Sequence, residues 1–233
     1  MRQHSGIGVL DKAVAVLYAV AEHPSGLNEL CARTGLPRAT AHRLAVALEV
    51  HRLLARDSNG TWRPGPALAE LATSADDPLL EAASVILPRL REITGESVQL
   101  YCRDGNARVC VAALEPPVGL RDTVPIGARL PLTAGSAAKV LLAWADPELQ
   151  RTILADAVFG ERALAEVRKR GWAQSAAERA AGVASVSAPV RDAGGAVVAA
   201  VSVSGPIDRM GRRPGARWAA DLVAAAEALH KRL

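Results

Sequence analysis

Residues 30–40 read LCARTGLPRAT, and they join the end of one short helical segment to the start of another. Apolar residues at helical spacing predict a helix over Leu27–Thr34, which Gly35 closes. Pro37 stands where the next helix begins, and that helix extends to about Val50. Proline is tolerated there because the first N–H groups of a helix have no partner within it. A glycine in a tight turn between two short helices is typical of a helix-turn-helix.

The segments on either side extend this motif to a winged helix-turn-helix. Upstream, an apolar stripe predicts a first helix that ends near Pro24. Downstream, short strands over 53–56 and 61–63 flank a glycine-containing turn at 57–60, and this pattern predicts a hairpin. The apolar stripe of the first helix consists of Val9, Leu10, Ala13, Val14, Leu17, Val20 and Ala21.

The helix that begins after Pro37 is the one that would enter the major groove of double-stranded DNA. Arginine binds a guanine through two hydrogen bonds or holds a phosphate, and threonine and histidine serve either purpose more weakly. The hairpin would contact the DNA backbone or the minor groove. Between residues 38 and 63, five arginines stand against one glutamate and one aspartate, a local charge of +3. The predicted DNA-binding residues are Arg38, Ala39, Thr40, His42, Arg43, Arg52, Arg56 and Arg63.

Two alternatives to DNA binding stay open at this point. The chain holds 24 arginines and 4 lysines, a bias that fits a nucleic-acid partner and fits genomic codon bias equally well. Three helices and a hairpin with a basic surface also describe a helical bundle whose charged face is merely solvated. The coincidence of a turn glycine, a helix-start proline and exposed arginines at one helix start favours the DNA-binding interpretation.

The remainder of the chain mixes helices with hairpins. A helical pattern over residues 65–93 is broken at Asp76-Asp77-Pro78, which marks the domain boundary. Because the strands follow one another as hairpins without regular βαβ units, we predict an α+β domain with a largely antiparallel sheet. The further strands are predicted over 98–103, 108–115, within 123–132, 185–190 and 196–204, and the further helices over 136–145, 161–171 and 214–233.

The composition excludes several functional classes. One Phe, two Tyr and four Trp in 233 residues argue against a nucleic-acid platform of stacked aromatic rings. No apolar run reaches 18 residues and no signal-peptide core follows Met1, so we expect a cytoplasmic protein without a membrane span. Three cysteines without a CxxC pair, and the absence of a Walker loop or GxGxxG, predict neither a metal site nor a cofactor.

An enzyme is the least supported class. Four of the five histidines lie in the DNA-binding segment, and only His230, near the end of the last helix, lies in the second domain. That domain therefore lacks the base or ligand spacing that hydrolytic or metal chemistry needs. We predict no catalytic residue and no enzymatic activity.

Several segments resemble IclR-type transcriptional regulators, in order and over nearly the whole chain. Within this type, the chain is similar to the actinobacterial branch that is associated with leucine and other amino-acid biosynthesis genes. The resemblance implies a winged helix-turn-helix domain (1–64), a linker helix (65–77) and a GAF-like ligand-sensing domain (78–233). It also implies a homodimer, often a dimer of dimers, on palindromic operators. The resembling segments are residues 8–13, 30–40, 130–139, 171–172, Glu178, Gly182, 188–190 and 201–206.

The resemblance also implies a small-molecule effector in a pocket beside the sheet. Ser136 would start a helix, and the free N–H groups and dipole at that end suit a carboxylate. Ser202 and Ser204 are two residues apart, so they share one face of their strand. Small side chains suit a small amino acid or keto acid, although Ser175 and Ser185 depart from better-known members. Alternatively, these serines are ordinary strand residues satisfied by the backbone. The predicted effector-binding residues are Ser136, Ala137, Val183, Ser185, Ser202 and Ser204.

Two further questions remain open from the sequence. Cys102 and Cys110 fall on paired strands of one predicted hairpin, where a redox or thiol-ligand switch competes with the simpler interpretation of buried, inert thiols. Cys31 is expected in the core of the first domain. The second domain either senses an effector or only oligomerises, and a ligand that raises the melting temperature would separate these functions.

Overall fold

The computed structural model describes residues 5–73 and 77–233, which form two compact units, Met1–Asp76 and Asp77–Leu233. Residues 1–4 and 74–76 lie outside the described residues. The last part of the linker helix predicted over 65–77, and the start of its predicted break at Asp76, therefore lie outside them as well.

The first unit contains the predicted three helices and hairpin. Gly35 ends the second helix (Leu27–Thr34) in the left-handed region (φ +71°), and its N–H donates to the Cys31 carbonyl at 2.9 Å. That conformation costs glycine nothing because it has no Cβ, so the turn follows directly from the sequence. The elements are α1 (Gly8–Glu22), α2 (Leu27–Thr34), α3 (Arg38–Val50), β1 (Leu54–Arg56), β2 (Trp62–Pro64) and α4 (Pro66–Thr73).

The predicted apolar stripe of α1 is only partly correct. Val16, Ala19 and Val20 are buried against α2, α3 and the hairpin, whereas Val9 and Leu10 are exposed. Of the predicted stripe only Val20 is buried, while Val14 and Ala21 are exposed as well. The buried face of the helix includes Val16 and Ala19, which the predicted stripe does not contain. An exposed apolar helix face of this kind is typical of a surface that contacts another molecule.

Trp62 holds the hairpin to the helices. Its side chain is 2% exposed, and its backbone exchanges two 3.0 Å hydrogen bonds with Ser25 in the loop between α1 and α2. The indole Nε1–H donates to Glu49 Oε2 on α3 at 3.2 Å, and the Arg56 guanidinium lies 4.2 Å from the ring centroid. Trp62 thus links the wing to α3 through its side chain and to the α1–α2 loop through its backbone.

The second unit is built on a six-stranded antiparallel sheet in the order β5-β4-β3-β8-β7-β6, as the hairpin pattern predicts. Helices α7, α9 and strand β6 were absent from the prediction. Helix α7 is amphipathic, with Leu149 and Ile153 at helical spacing, but it and α9 span only eight and four residues. Strand β6 spans four residues and has no β-branched residue, so all three patterns are short. The elements are α5 (Pro78–Thr94), β3 (Ser97–Asp104), β4 (Ala107–Leu114), β5 (Arg129–Pro131), α6 (Ser136–Ala143), α7 (Pro147–Leu154), α8 (Glu161–Arg170), β6 (Ala173–Ala176), β7 (Val183–Arg191), β8 (Val197–Pro206), α9 (Ile207–Met210) and α10 (Gly215–His230).

Helices cover both faces of this sheet. Helices α5 and α10 pack on one face, over a core that includes Val201 and Val203 of β8. Helices α6 and α8 pack on the other face, where Ala200 is buried. Because side chains alternate along a strand, Ser202 and Ser204 share the face of Ala200 and lie on the α6 side, in agreement with the predicted shared face.

Candidate functional site

The N-terminal half of α3 presents most of its predicted DNA-binding side chains to solvent. Arg38, Ala39, His42 and Arg43 are exposed, and Thr40 is half-buried. The opposite side of the helix is buried in the core of the unit through Ala41, Ala45 and Leu48. The helix is therefore anchored on one side and free on the side that carries the two arginines, as insertion into a groove requires.

The predicted arginines differ in how they are partnered. Arg52 forms an ion pair with Glu70 on α4, and the guanidinium of Arg56 lies 3.6 Å from Glu49 and over the Trp62 ring. Among the described residues, no carboxylate lies within 4.0 Å of the Arg38, Arg43 or Arg63 guanidinium. These three are the only predicted arginines, within that part of the chain, whose charge is uncompensated.

These last three arginines carry the positive charge that DNA phosphates would meet. Arg38 donates to the Asn28 side chain of α2, a neutral contact that orients the guanidinium without cancelling its charge. Arg63 is exposed on the second wing strand. The sequence predicts all five arginines as DNA contacts. In the structure, Arg52 and Arg56 have carboxylate partners within the unit, and the other three remain as candidate DNA contacts.

The second unit contains a polar pocket between the sheet and the start of α6. Five of the six predicted effector residues line it, and its empty space, including the opening to solvent, is about 250 Å³. Val183 does not line it, because it lies at the first position of β7, two residues outward from Ser185, where it pairs with Pro206. The lining residues are Tyr101, Arg108, Asp122, Gly135, Ser136, Ala137, Arg179, Ser185, Ser202 and Ser204.

The serine hydroxyls beside the pocket bond mainly to one another. Ser136 Oγ lies 2.6 Å from Ser185 Oγ and 2.7 Å from Ser187 Oγ. Ser187 Oγ donates to Ser202 Oγ at 2.9 Å, and Ser175 Oγ lies 2.9 Å from Ser185 Oγ. The serines are therefore not simply satisfied by the backbone. They form one hydroxyl chain that ties α6 to β7, β8 and β6.

Arg108 on β4 is the most unusual residue of the pocket. It is 3% exposed, and its Nη1 donates to the carbonyls of Pro131 and Ala134, the latter at 3.0 Å. Its Nε is buried without a hydrogen-bond partner among the described residues. Burial lowers the pKa of Arg108 to about 10, so the guanidinium stays charged at pH 7.

Two ion pairs connect the loop after β6 to the rest of the pocket. Arg179 Nη2 donates to both carboxylate oxygens of Asp122, at 2.5 and 2.6 Å. The neighbouring Glu178 pairs with Lys139 of α6 and accepts a 3.1 Å hydrogen bond from the Gly135 N–H. The N-terminus of α6 thus already faces one carboxylate, and among the lining residues Arg108 is the cation without one.

The remaining titratable groups near the pocket are neutral. Burial raises the pKa of the Tyr101 phenol well above its ordinary value, so it can donate a hydrogen bond at pH 7. Burial also raises the pKa of Cys110 to about 11, and it raises the pKa of Cys102, which packs on the α5–α10 side of the sheet. Since the thiolate is the reactive form, these values favour the interpretation of inert thiols over a redox switch.

The residues that sequence reasoning missed come from strands and loops far apart in the chain. Arg108 lies two residues before the buried Cys110 on β4, so both side chains are on the same face of the strand. A charge at such a buried position is a signal that could have identified it. Asp122 and Arg179 lie in loops, and no sequence spacing links positions 57 residues apart. Tyr101 lies in a predicted strand but carries no motif.

Two absences hold for the described residues. No group of three or more histidine, cysteine, aspartate or glutamate side chains in that part of the chain is arranged to hold a metal ion. No helix described here has the length and apolar character needed to cross a membrane.

The sequence matches two domain families. The IclR helix-turn-helix domain matches residues 9–58, which include α1, α2, α3 and β1. The bacterial transcriptional regulator IclR C-terminal domain matches residues 72–231, which include the pocket. Together they account for most of the chain.

Individual proteins agree with this assignment. The chain is 32% identical over 223 residues to the HTH-type transcriptional regulator BhcR of Paracoccus denitrificans, a match that covers 88% of this chain and 80% of that protein. It is 28% identical to the HTH-type transcriptional repressor AllR of Escherichia coli, over 88% and 82% of the two chains. An IclR homologue from Microbacterium hydrocarbonoxydans, solved with 4-hydroxybenzoate, has a TM-score of 0.84 and 25% identity over 97% and 98% of the chains. The chain therefore belongs to the IclR family, a family of bacterial transcriptional regulators and not of enzymes.

Proposed function

We propose that this regulator binds a palindromic operator as a homodimer, or as a dimer of dimers, and responds to a small carboxylate effector held in the pocket of the second unit. The observation that carries the effector proposal is the buried charge of Arg108: among the described residues no carboxylate forms an ion pair with it, and the nearby Asp122 is paired with Arg179. A buried charge is costly unless it is paired, so an anion in the pocket would be bound strongly. The proposed effector is a small amino acid or keto acid.

The DNA half of the proposal rests on α3 and the wing. Arg38 and Arg43 lie at the start of α3, where the residues of a recognition helix meet base edges. Arg63 lies on the wing, where a guanidinium reaches phosphates. A homodimer would place two such helices in successive major grooves of a palindrome, and the exposed apolar side chains of α1 offer a surface for a second copy.

The effector response needs only a modest coupling between the two sites. A coupling free energy of about 1–3 kcal/mol changes operator affinity by roughly 5-fold to 150-fold. We propose that the effector changes the packing of the subunits and that the segment 65–77, which joins the two units along the chain, transmits this change to the spacing of the recognition helices.

The genes proposed as targets, on the resemblance to one branch of the family, are those of leucine-type amino-acid biosynthesis. Sequencing the genomic fragments that the purified protein retains, with and without effector, identifies the operator and its neighbouring genes. Retention of fragments that share a palindrome but lie beside unrelated genes would contradict the target proposal and leave the operator proposal intact.

Arg38→Ala is expected to weaken operator binding by about 5-fold to 150-fold for each half-site, because a good arginine–guanine contact contributes roughly 1–3 kcal/mol of base discrimination. It should also relax the base preference at one position of each half-site. Arg63→Ala should weaken binding to all DNA alike and reduce the salt dependence by about one released counter-ion for each subunit. Titrations of labelled operator and scrambled DNA at several salt concentrations measure both effects.

Arg162→Ala is the matched control for both variants. It removes the same charge from an exposed position on α8, where Arg162 lies near Glu166, and it should leave operator affinity unchanged. An Arg38→Ala variant with the affinity and base preference of the unmodified protein would overturn the assignment of α3 to the major groove.

A small carboxylate effector is expected to raise the melting temperature of the full chain, since a ligand that binds only the folded state stabilises it. At 100 times its dissociation constant, the stabilisation is about 2.7 kcal/mol. A panel of amino acids and keto acids, each beside its primary amide, tests this by differential scanning fluorimetry. No shift with any carboxylate of the panel would favour a second unit that only oligomerises.

A further inference from the structure

The charged side chains that line the effector pocket sum to one positive charge. Arg108 and Arg179 contribute two guanidiniums, and Asp122 contributes the one carboxylate among the described lining residues. Lys139 and Glu178, which lie beside the pocket, pair with each other and add nothing to the sum. A ligand that balances the pocket therefore carries one negative charge.

This balance matters because the three lining charges are withdrawn from water. Arg108 and Asp122 are buried, and Arg179 is half-buried. After burial itself, the charge of Arg179 lowers the pKa of Arg108 and that of Asp122 raises it, so the three groups act on one another. Salt screens charges poorly at such depth, and an unpaired buried charge is costly. A ligand with any other net charge leaves such a charge behind.

The pocket offers an ammonium group no carboxylate that is still unpaired. Arg179 Nη2 donates to both oxygens of Asp122, at 2.6 and 2.5 Å. An amino acid whose carboxylate meets Arg108 would bring its ammonium group close to the same guanidinium, and like charges repel. An uncharged oxo or hydroxyl oxygen in that place accepts a hydrogen bond instead, and the neutral phenol of Tyr101 lines the pocket as a donor.

A second carboxylate on the ligand would compete with Asp122. One carboxylate of a dicarboxylate meets Arg108, and the other guanidinium that lines the pocket is that of Arg179. Taking Arg179 would leave Asp122 as a buried carboxylate without its partner, and breaking a buried ion pair in this way is strongly destabilising. Asp122 therefore opposes a dianion by holding the second guanidinium.

We propose that the pocket selects a monocarboxylate whose other polar groups are uncharged, and that Asp122 determines this selection by holding Arg179. Of the two effector classes proposed above, this selects the 2-oxo acid over the amino acid, and a 2-hydroxy acid fits equally well. The inference rests on the proposed function, because it requires that a carboxylate binds Arg108. It adds which group the pocket accepts beside that carboxylate.

Isothermal titration of matched acids into the full chain tests the selection. Each set contains a 2-oxo acid, a 2-hydroxy acid, an amino acid and a dicarboxylate with the same number of carbons. Pyruvate, lactate, alanine and malonate form the three-carbon set, and further sets extend from two to six carbons. In the set that binds most tightly, we expect the oxo or hydroxy acid to bind at least tenfold more tightly than the amino acid and the dicarboxylate.

Two substitutions shift the charge balance in opposite directions. Asp122→Asn raises the pocket to two positive charges, so the dicarboxylate should gain at least tenfold in affinity relative to the monocarboxylate. Adding Arg179→Gln replaces the ion pair by two amides and returns the pocket to one positive charge, so the preference for the monocarboxylate should return. Asp156→Asn, at an exposed position outside the pocket, is the control for net charge and should leave the selection unchanged. Melting temperatures verify that each variant folds.

The possible failures are distinguishable from one another. A chain that binds no acid of any set would refute the carboxylate effector and this inference with it. Equal affinity for the oxo acid and the amino acid would refute the selection alone and leave Arg108 as the carboxylate site. An unchanged preference in Asp122→Asn, or a changed one that Arg179→Gln does not reverse, would show that Asp122 does not set the selection through its charge.

Discussion

Arg108→Met is expected to weaken binding of the carboxylate effector by about 30-fold or more. Removing one partner of a buried, hydrogen-bonded charge pair costs roughly 2–5 kcal/mol, and each 1.4 kcal/mol is a factor of ten in affinity. Methionine keeps the length and the apolar stem of the side chain, so the change acts mainly on the charge. Isothermal titration of the effector into each protein measures the loss.

The size of this effect follows from burial. Exposed ion pairs contribute little because water screens them and their side chains lose freedom. Arg108 is already fixed by the carbonyls of Pro131 and Ala134, and it is 3% exposed. An effector carboxylate would therefore meet a desolvated, preorganised guanidinium. Since its pKa is about 10, the charge persists through the neutral range and affinity should fall only as the pH approaches that value.

A double cycle with the effector's primary amide separates charge recognition from structural damage. In the unmodified protein, the affinity for the carboxylate should exceed the affinity for the amide by at least the factor by which Arg108→Met weakens carboxylate binding. In the variant this preference should largely vanish. If Arg108→Met weakens binding of the carboxylate and of the amide by the same factor, Arg108 only supports the loop of Pro131 and Ala134.

The first unit was largely predictable because local chemistry specifies it. The glycine turn at Gly35, the proline at Pro37 and the hairpin turn each fix a boundary without reference to the rest of the chain. The exception is α1, whose predicted apolar stripe contains Val20 but neither Val16 nor Ala19, the other two buried residues of the helix. Which part of a stripe is covered depends on neighbours that the period does not identify.

The pocket was only half predictable, and its charged half was missed. Ser202 and Ser204 follow from strand parity, and Ser136 from its position at a helix start. The pocket position of Arg108 and Arg179 depends on the fold, because the pocket brings together β4 and the loop after β6, which are far apart in the chain. Arg108 left one signal in the sequence, a charge at an inward-facing strand position, whereas no motif marks Arg179 in its loop.

The resemblance and the structure together changed the role assigned to the helix start. From the sequence, the N-terminus of α6 is the expected anion site. In the structure, the Glu178 carboxylate accepts from the Gly135 N–H at that end and pairs with Lys139. We therefore propose that Arg108 on β4 binds the effector. The proposed ligand is still a carboxylate, but the group that binds it is a guanidinium and not the helix N-terminus.

Trp62→Ala is expected to lower the stability of the first unit by about 3–5 kcal/mol, the range for truncation of a buried aromatic side chain. Domains are commonly stable by only about 5–15 kcal/mol, so this loss removes a large part of the total. The variant also removes the hydrogen bond from the indole to Glu49 and the ring that Arg56 stacks on, and leaves the 3.6 Å ion pair of Arg56 with Glu49 as the side-chain contact between the wing and α3. Operator binding should fall to the level of the scrambled DNA because the wing and α3 no longer hold a fixed geometry.

Hydrogen exchange followed by mass spectrometry tests this prediction segment by segment. Peptides from residues 25–64 should lose protection in Trp62→Ala, while those of the sheet in the second unit and the effector-induced rise in melting temperature should remain. Trp62→Phe is the matched control, since it keeps most of the buried ring and loses the 3.2 Å hydrogen bond to Glu49, at a cost of about 0.5–1.5 kcal/mol. Full protection of residues 25–64 in Trp62→Ala would mean that the backbone pairing with Ser25 alone holds the wing.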